Sequence, residues 1–381
     1  MTQATFTERE EMKRRLKGFP DESGAALHDR IRVASDLQGG FRLKKQERLG
    51  TSTSARSIAG LAVVVVLLAV VLPSLSGLAS ASPPGPRKVS PRVMIIIFNP
   101  VLETQGNQRL VDFMGWNDPT RLSGEYARTM GEISGGFIDY AIKATIEIDG
   151  YPAKDNGHVF TDEEYLDCLA DSSGPNCALL IDYPGLLDGS GICSFVNRRK
   201  ISEVWLWGGP WFGFYESVQA GPDPIATNGP PIIGTSCDRT VDIMGFSYER
   251  GLQEMVHDFS HRVEGNMVHV FGPRLPDEST PWNRFTLLHA EGPGRGGCGT
   301  VHRPVNSVGP INDYVNLTTV PSSCDDFLNY PNLSGTFVDV NCTAWGCTEF
   351  GYLQWWLRHL PRSHSVTDGR LDNWWAYIVR R

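Results

Sequence analysis

Cysteine is missing from the first 167 residues; all eight lie between Cys168 and Cys347, and no two are spaced Cys-x-x-Cys. That absence argues against a zinc ribbon. No Gly-x-Ser-x-Gly elbow occurs, which disfavours a serine hydrolase. The glycine-rich run GPGRGGCG at 292–299 lacks the Lys-Ser/Thr ending of a phosphate loop, and no strand–helix frame surrounds it. Basic charge is scarce over most of the chain. Residues 1–81 hold 12 Lys+Arg against 8 Asp+Glu, whereas residues 82–381 hold 23 against 35. An acidic body repels phosphate backbones, so nucleic acid is not an expected partner.

One apolar run is present. Residues 58–72, IAGLAVVVVLLAVVL, carry no charge and lead into PSLSGLASA, which ends at Ala81. Arg42, Lys44, Lys45, Arg48 and Arg56 precede it, and basic flanks stay inside. The expected layout is a cytoplasmic tail over 1–56, a single-pass transmembrane signal-anchor over 57–81, a Pro-rich linker over 82–91 and an extracytoplasmic α/β domain over 92–381. The ASA at 79–81 also fits a cleavage site, so a secreted form processed near Ala81 is the alternative. Both layouts put every cysteine outside, where an even number implies up to four disulfides. Their connectivity is not readable from spacing.

Within residues 92–381 strand and helix patterns interleave. RVMIIIFNPV reads as a buried strand, and DPTRLSGEYARTMGEISGG as a helix with a glycine stop. FIDYAIKATIEIDGYP alternates like a strand, TDEEYLDCLAD is a Thr-capped short helix, and EVWLWG is a further strand. The fold class implied is α/β: a mixed sheet with flanking helices, and a cysteine-rich, irregular C-terminal half that wraps it.

The chemistry concentrates in YERGLQEMVHDFSHRVEGNMVHVFG, 248–272, read as a helix over 248–267. At about 100° per residue, with Glu254 at zero, Arg250, His257, His261 and Glu264 join it in a stripe about 80° wide. Met255, Val256, Phe259, Val263 and Met267 form the apolar back. No lysine occurs in this segment, so the stripe is expected to line a cleft. His257 and His261 make His-x-x-x-His, two imidazoles one turn apart that can clasp a divalent metal such as zinc. A third ligand must come from elsewhere, with His302, His289 and Glu216 as candidates. Glu264 suits an outer role, orienting His261. Two other readings stand beside the metal site: metal-free acid/base chemistry, and a buried network in which Arg250 and Glu254 pair and the histidines are satisfied core residues.

Other carboxylates are candidates too. Glu216 follows six aromatics in EVWLWGGPWFGFYES, and loops at strand ends are where α/β folds place sites. Asp182 in ALLIDYPG is a second strand-end acid, and a carboxylate pair across a cleft would suit glycoside hydrolysis. Ten tryptophans could supply sugar-stacking faces or core, and sequons stand at Asn316, Asn332 and Asn341.

Two resemblances follow from these motifs. The string His-Asp-Phe-Ser-His, 257–261, resembles the H-E-x-x-H signature of zinc metallopeptidases, with Asp258 in place of the glutamate base and one methylene shorter. The combination VWLWGGPWFGFYES, YERGLQEMVHDFSHRVE, CGTVHRPVN and LDNWWAYI resembles an uncharacterised family of secreted or membrane-anchored, mostly bacterial proteins. That resemblance implies no substrate, and relatives with serine at the position of Asp258 would argue against Asp258 as base.

The expected function is an extracytoplasmic hydrolase, metal-dependent through His257, His261 and His302, acting on an envelope glycan or peptide. Glu254, Asp258 and Glu216 are its candidate catalytic carboxylates, with Glu264 and Arg250 in support. A non-catalytic glycan-binding or envelope-interaction ectodomain is the alternative, and a purely structural disulfide-built ectodomain the third.

Overall fold

Arg92–Phe98 (β1), RVMIIIF, is a run of apolar and β-branched residues with six of seven buried. A strand buried on both faces belongs in the middle of a covered parallel sheet. That is its place in the computed structural model, which describes residues 88–309 and 311–379. β1 lies between Ala141–Ile148 (β2) and Glu203–Gly208 (β3), parallel to both. Ser217–Ala220 (β4) is the far edge, and Val241–Ser247 (β5) separates it from β3. β5 runs parallel to β3, and β4 runs antiparallel to β5, giving a mixed five-stranded sheet in the order β2-β1-β3-β5-β4. β2 alternates between half-buried and exposed residues, as an edge strand should.

The expected helices form where their caps stand. Asp118 caps Pro119–Ile133 (α1) by accepting from the amides of Thr120 and Arg121, and the proline fills the first turn. Thr161 and Glu164 make a reciprocal capping box on Asp162–Ala170 (α2). Leu252–Phe271 (α3) leaves β5 and packs against the sheet, α1, and two late helices, Glu349–Arg358 (α4) and Trp375–Ile378 (α5). The irregular second half therefore wraps around α3, which ends up central.

The eight cysteines pair with their sequence neighbours: Cys168–Cys177, Cys193–Cys237, Cys298–Cys324 and Cys342–Cys347. Four disulfides mark an extracellular type of domain, because reducing compartments keep thiols free. The expected tail, the signal-anchor and linker residues 82–87 lie outside the described residues. Among the described residues no helix is long and apolar enough to cross a membrane.

Seven of the ten tryptophans are buried and the other three are half-buried. Trp205, Trp207, Trp282, Trp356, Trp374 and Trp375 are among the largest fully buried side chains. The indoles build core, and no fully exposed tryptophan face is present among the described residues.

Candidate functional site

α3 begins four residues later than the pattern suggested. The Arg250 amide donates to the Ser247 carbonyl in a turn, and Gly251 is extended as N-cap, so helical geometry starts at Leu252. Asn117 Nδ2 donates to the carbonyls of Tyr248 and Arg250 and pins that turn. Arg250 thus precedes the helix, yet its guanidinium still reaches Glu254 Oε1 at 2.8 Å.

The apolar back forms as periodicity implies, with Met255, Val256, Phe259, Val263 and Met267 buried. Beside it, one charge is fully buried: the Arg262 guanidinium meets Glu203 Oε1 at 3.0 Å and Asp242 Oδ2 at 2.9 Å. Arg262 also donates twice to the Ile378 carbonyl. One residue past His261, this side chain ties α3 to β3, β5 and the C-terminal helix. The rotation of α3, and so the aim of its histidines, is fixed from behind.

On the opposite side the histidines meet. His257 Nε2 and His261 Nε2 are 3.1 Å apart. His302, from the loop after Gly299–Thr300, closes a triangle with ring centroids 4.9 Å from His257 and 4.8 Å from His261. One ring nitrogen from each of the three lies within 4.8 Å of the others, a set that could hold a metal ion.

The remaining nitrogens show why this set suits a cation. His257 Nδ1 is 2.9 Å from Glu349 Oε1, His261 Nδ1 is 3.1 Å from Glu264 Oε2, and His302 Nδ1 is 3.1 Å from Asn312 Oδ1. Each partner atom is an acceptor, so each Nδ1 carries the proton and donates it. In the neutral rings Nε2 is then a bare lone pair. Two such lone pairs 3.1 Å apart repel unless a proton or a metal ion sits between them. Neutral imidazoles locked by outer carboxylates and amides are the usual arrangement around zinc and related divalent ions.

The electrostatics push His302 and His261 in opposite directions. Burial lowers the pKa of His302, and the neighbouring His261 and His257 lower it further. Burial also opposes a charged His261, but the hydrogen bond and charge of Glu264, with the charges of Glu216 and Glu254, raise its pKa overall. The Glu349 carboxyl is held below its ordinary range, chiefly by the hydrogen bond from His257. The lowered pKa keeps Glu349 ionised, as suits a group that accepts from His257.

The other expected carboxylates separate. Glu216 Oε2 is 3.8 Å from His261 Nε2 and accepts from Asn228 Nδ2 at 2.8 Å. Its loop partner crosses α3 at Gly265, where a Cβ would stand 2.5 Å from Thr227 Cα. Glu254 lies one turn before His257 and is paired with Arg250. Asp258 does not join the cluster. It is buried, and burial together with the charges of Glu216 and Glu254 pushes its pKa well above the ordinary aspartate value. A carboxyl that holds its proton is unsuited to the base role that the H-E-x-x-H comparison gave it. His289 accepts from the Gly294 amide, and Asp182 caps Tyr183–Gly189 through the Gly185 amide; neither belongs to the histidine cluster.

Glu349 and Asn312 were not anticipated from the sequence. Glu349 is the first residue of α4, after the N-cap Thr348, and also accepts from Gln253 Nε2. The Thr-Glu start of a helix was a readable signal; its contact with a residue 92 positions earlier was not. Asn312 has a left-handed backbone (φ 68°), and its amide donates to the His302 carbonyl, so it grips the residue at both ends. Tyr314 Oη donates toward Asn312 Oδ1 and the Val301 carbonyl, and Glu264 Oε1 accepts the Val301 amide. No protein-family model, curated protein or solved structure matches the chain.

Proposed function

We propose that the protein is an extracytoplasmic hydrolase that uses a divalent metal, zinc in the first instance, held by His257, His261 and His302. The observation that carries the reading is the shared tautomer: three imidazoles whose Nδ1 atoms are all committed to acceptors and whose other nitrogens converge. A metal in that cradle would supply Lewis-acid activation of water and of a substrate carbonyl or acetal.

The chain's own groups do the rest. Glu349, Glu264 and Asn312 accept at each Nδ1, which leaves Nε2 for the metal, and they fix the ring planes. Glu216, with its side chain 36% exposed beside His261, is the carboxylate within reach of incoming water. It takes the proton from water at Oε2 and returns it to the leaving group, the ordinary double duty of a hydrolytic carboxylate. Arg250 pairs with Glu254, and its positive charge also acts on Glu349. An envelope peptide or glycan is the proposed substrate, in keeping with the disulfide-built domain and the apolar segment of residues 58–72.

The test is a library screen with the zinc-loaded full chain against peptide and glycan substrates, repeated with Glu216→Gln. Turnover by the wild type and its loss in the variant, with metal retained, supports the reading. Inactivity of the zinc-loaded chain across both libraries would count against it.

A further inference from the structure

Two of the three histidine supports converge on one short disulfide loop. Cys342 and Cys347 are five residues apart and bonded to each other. The loop between them, CTAW-G-C, ends one residue before Thr348, the N-cap of α4, and two before Glu349, which holds His257. Its other side reaches the segment that holds His302. The Cys342 amide donates to the Asn316 carbonyl, and Trp345 Nε1 donates to the Tyr314 carbonyl. Tyr314 in turn contacts Asn312, the partner of His302 Nδ1.

Cys347 differs from the other seven cysteines: it is half-buried, and they are buried. Its backbone is left-handed (φ 52°), a conformation that costs energy in a residue with a Cβ and persists only where its surroundings impose it. Here the disulfide and the Cys347 amide's bond to the Cys342 carbonyl do the imposing. Disulfides that are exposed at one of their cysteines are more open to thiol exchange than fully buried ones.

We propose that Cys342–Cys347 is a redox control on the histidine cluster: its reduction loosens Glu349 and Asn312 together and weakens metal binding. The inference rests on the metal reading above. The step is a two-electron exchange with a dithiol. The protein S–S bond breaks, the reductant's two sulfurs form their own disulfide, and the two protons leave the dithiol for Cys342 and Cys347. Cys347 then relaxes from its left-handed conformation, and the first turn of α4 moves with it. Outer-sphere partners of metal-bound histidine are worth about 10–100-fold in affinity, which sets the scale of the effect.

The experiment uses the full chain and zinc as probe. The oxidised protein is treated under native conditions with a dithiol, capped with iodoacetamide, freed of reagents and mapped by mass spectrometry. Zinc affinity is then measured by competition with a chromophoric chelator. Zinc affinity is expected to fall about ten-fold or more when Cys342 and Cys347 alone are capped, and equally in Cys342→Ser/Cys347→Ser. Cys168→Ser/Cys177→Ser, which opens a disulfide with no link to the supports, is expected to keep its affinity. Unchanged affinity with Cys342–Cys347 open overturns the inference, as does an equal loss in the Cys168/Cys177 variant. An oxidised chain that binds no zinc overturns the metal reading, and this inference with it.

Discussion

His257 Nε2 and His261 Nε2 face each other across 3.1 Å, while the opposite nitrogen of each ring is held by a glutamate. The contact is one helical turn made into a ligand pair. It is also unstable by itself, since two neutral imidazoles in these tautomers offer only lone pairs to each other. A proton or a metal ion must fill it, and with the third ring, His302, the set could hold a metal ion.

The outer acceptors should therefore matter to affinity and not only to stability. Glu349→Gln and Glu264→Gln keep the side-chain shape but remove the charge that fixes each Nδ1 proton. Each is expected to weaken zinc binding by about 10–100-fold without unfolding the protein. Chelator competition on the two variants measures it.

Glu216 should behave differently. Its oxygen lies near His261, but its own hydrogen bond is to Asn228, outside the cluster. Glu216→Gln is expected to retain zinc and to lose about 10²–10⁴-fold in turnover. Parallel metal analysis and kinetics on the substrate accepted by the wild type separate the two effects.

How much of this was legible beforehand follows from the range of each interaction. The helical period put His257, His261, Glu254 and Glu264 on one side because neighbours on a helix are set by local geometry. His302 appeared only as one of three candidate ligands, because the loop carrying it has no period. Glu349 and Asn312 act through packing between segments far apart in sequence, which composition and spacing do not encode. Arg262 was overlooked for a related reason: at helical spacing it borders the apolar sector, and only β3 and β5 supply the acids that make it a buried anchor. Val241–Ser247 and Ser217–Ala220 were not singled out as strands, although six of the seven residues of the first are buried. The irregular reading of the second half was coarse, since it contains α4, whose first residue supports the site.

Arg262→Met should expose the cost of that anchor. It leaves Glu203 and Asp242 facing each other in a site where burial already pushes Glu203 toward its neutral form. Removing one partner from a buried ionic group typically costs about 3–5 kcal/mol. Chemical denaturation of the variant at neutral pH gives the value.

Lys154 predicts a pH effect away from the site. Its ammonium is buried, donates to the carbonyls of Leu179 and Trp211, and lies 4.6 Å from the Phe160 ring centroid. Burial lowers its pKa from 10.5 to about 8. Between those values the unfolded chain binds the proton and the folded chain does not, so stability rises with pH. Below about pH 8 the full cost of burying the charge is present. The stability of wild type relative to Lys154→Met is expected to climb from pH 8 to 10.5 and to be flat below, as read from denaturation midpoints.

The central claim is that the three histidines hold a metal. Elemental analysis of the purified full chain after zinc loading and desalting tests it, with His257→Ala/His261→Ala alongside. About one zinc per chain in the wild type and none in the variant is the expected result. A wild-type chain that stays metal-free, or a variant that keeps the same zinc, would contradict it.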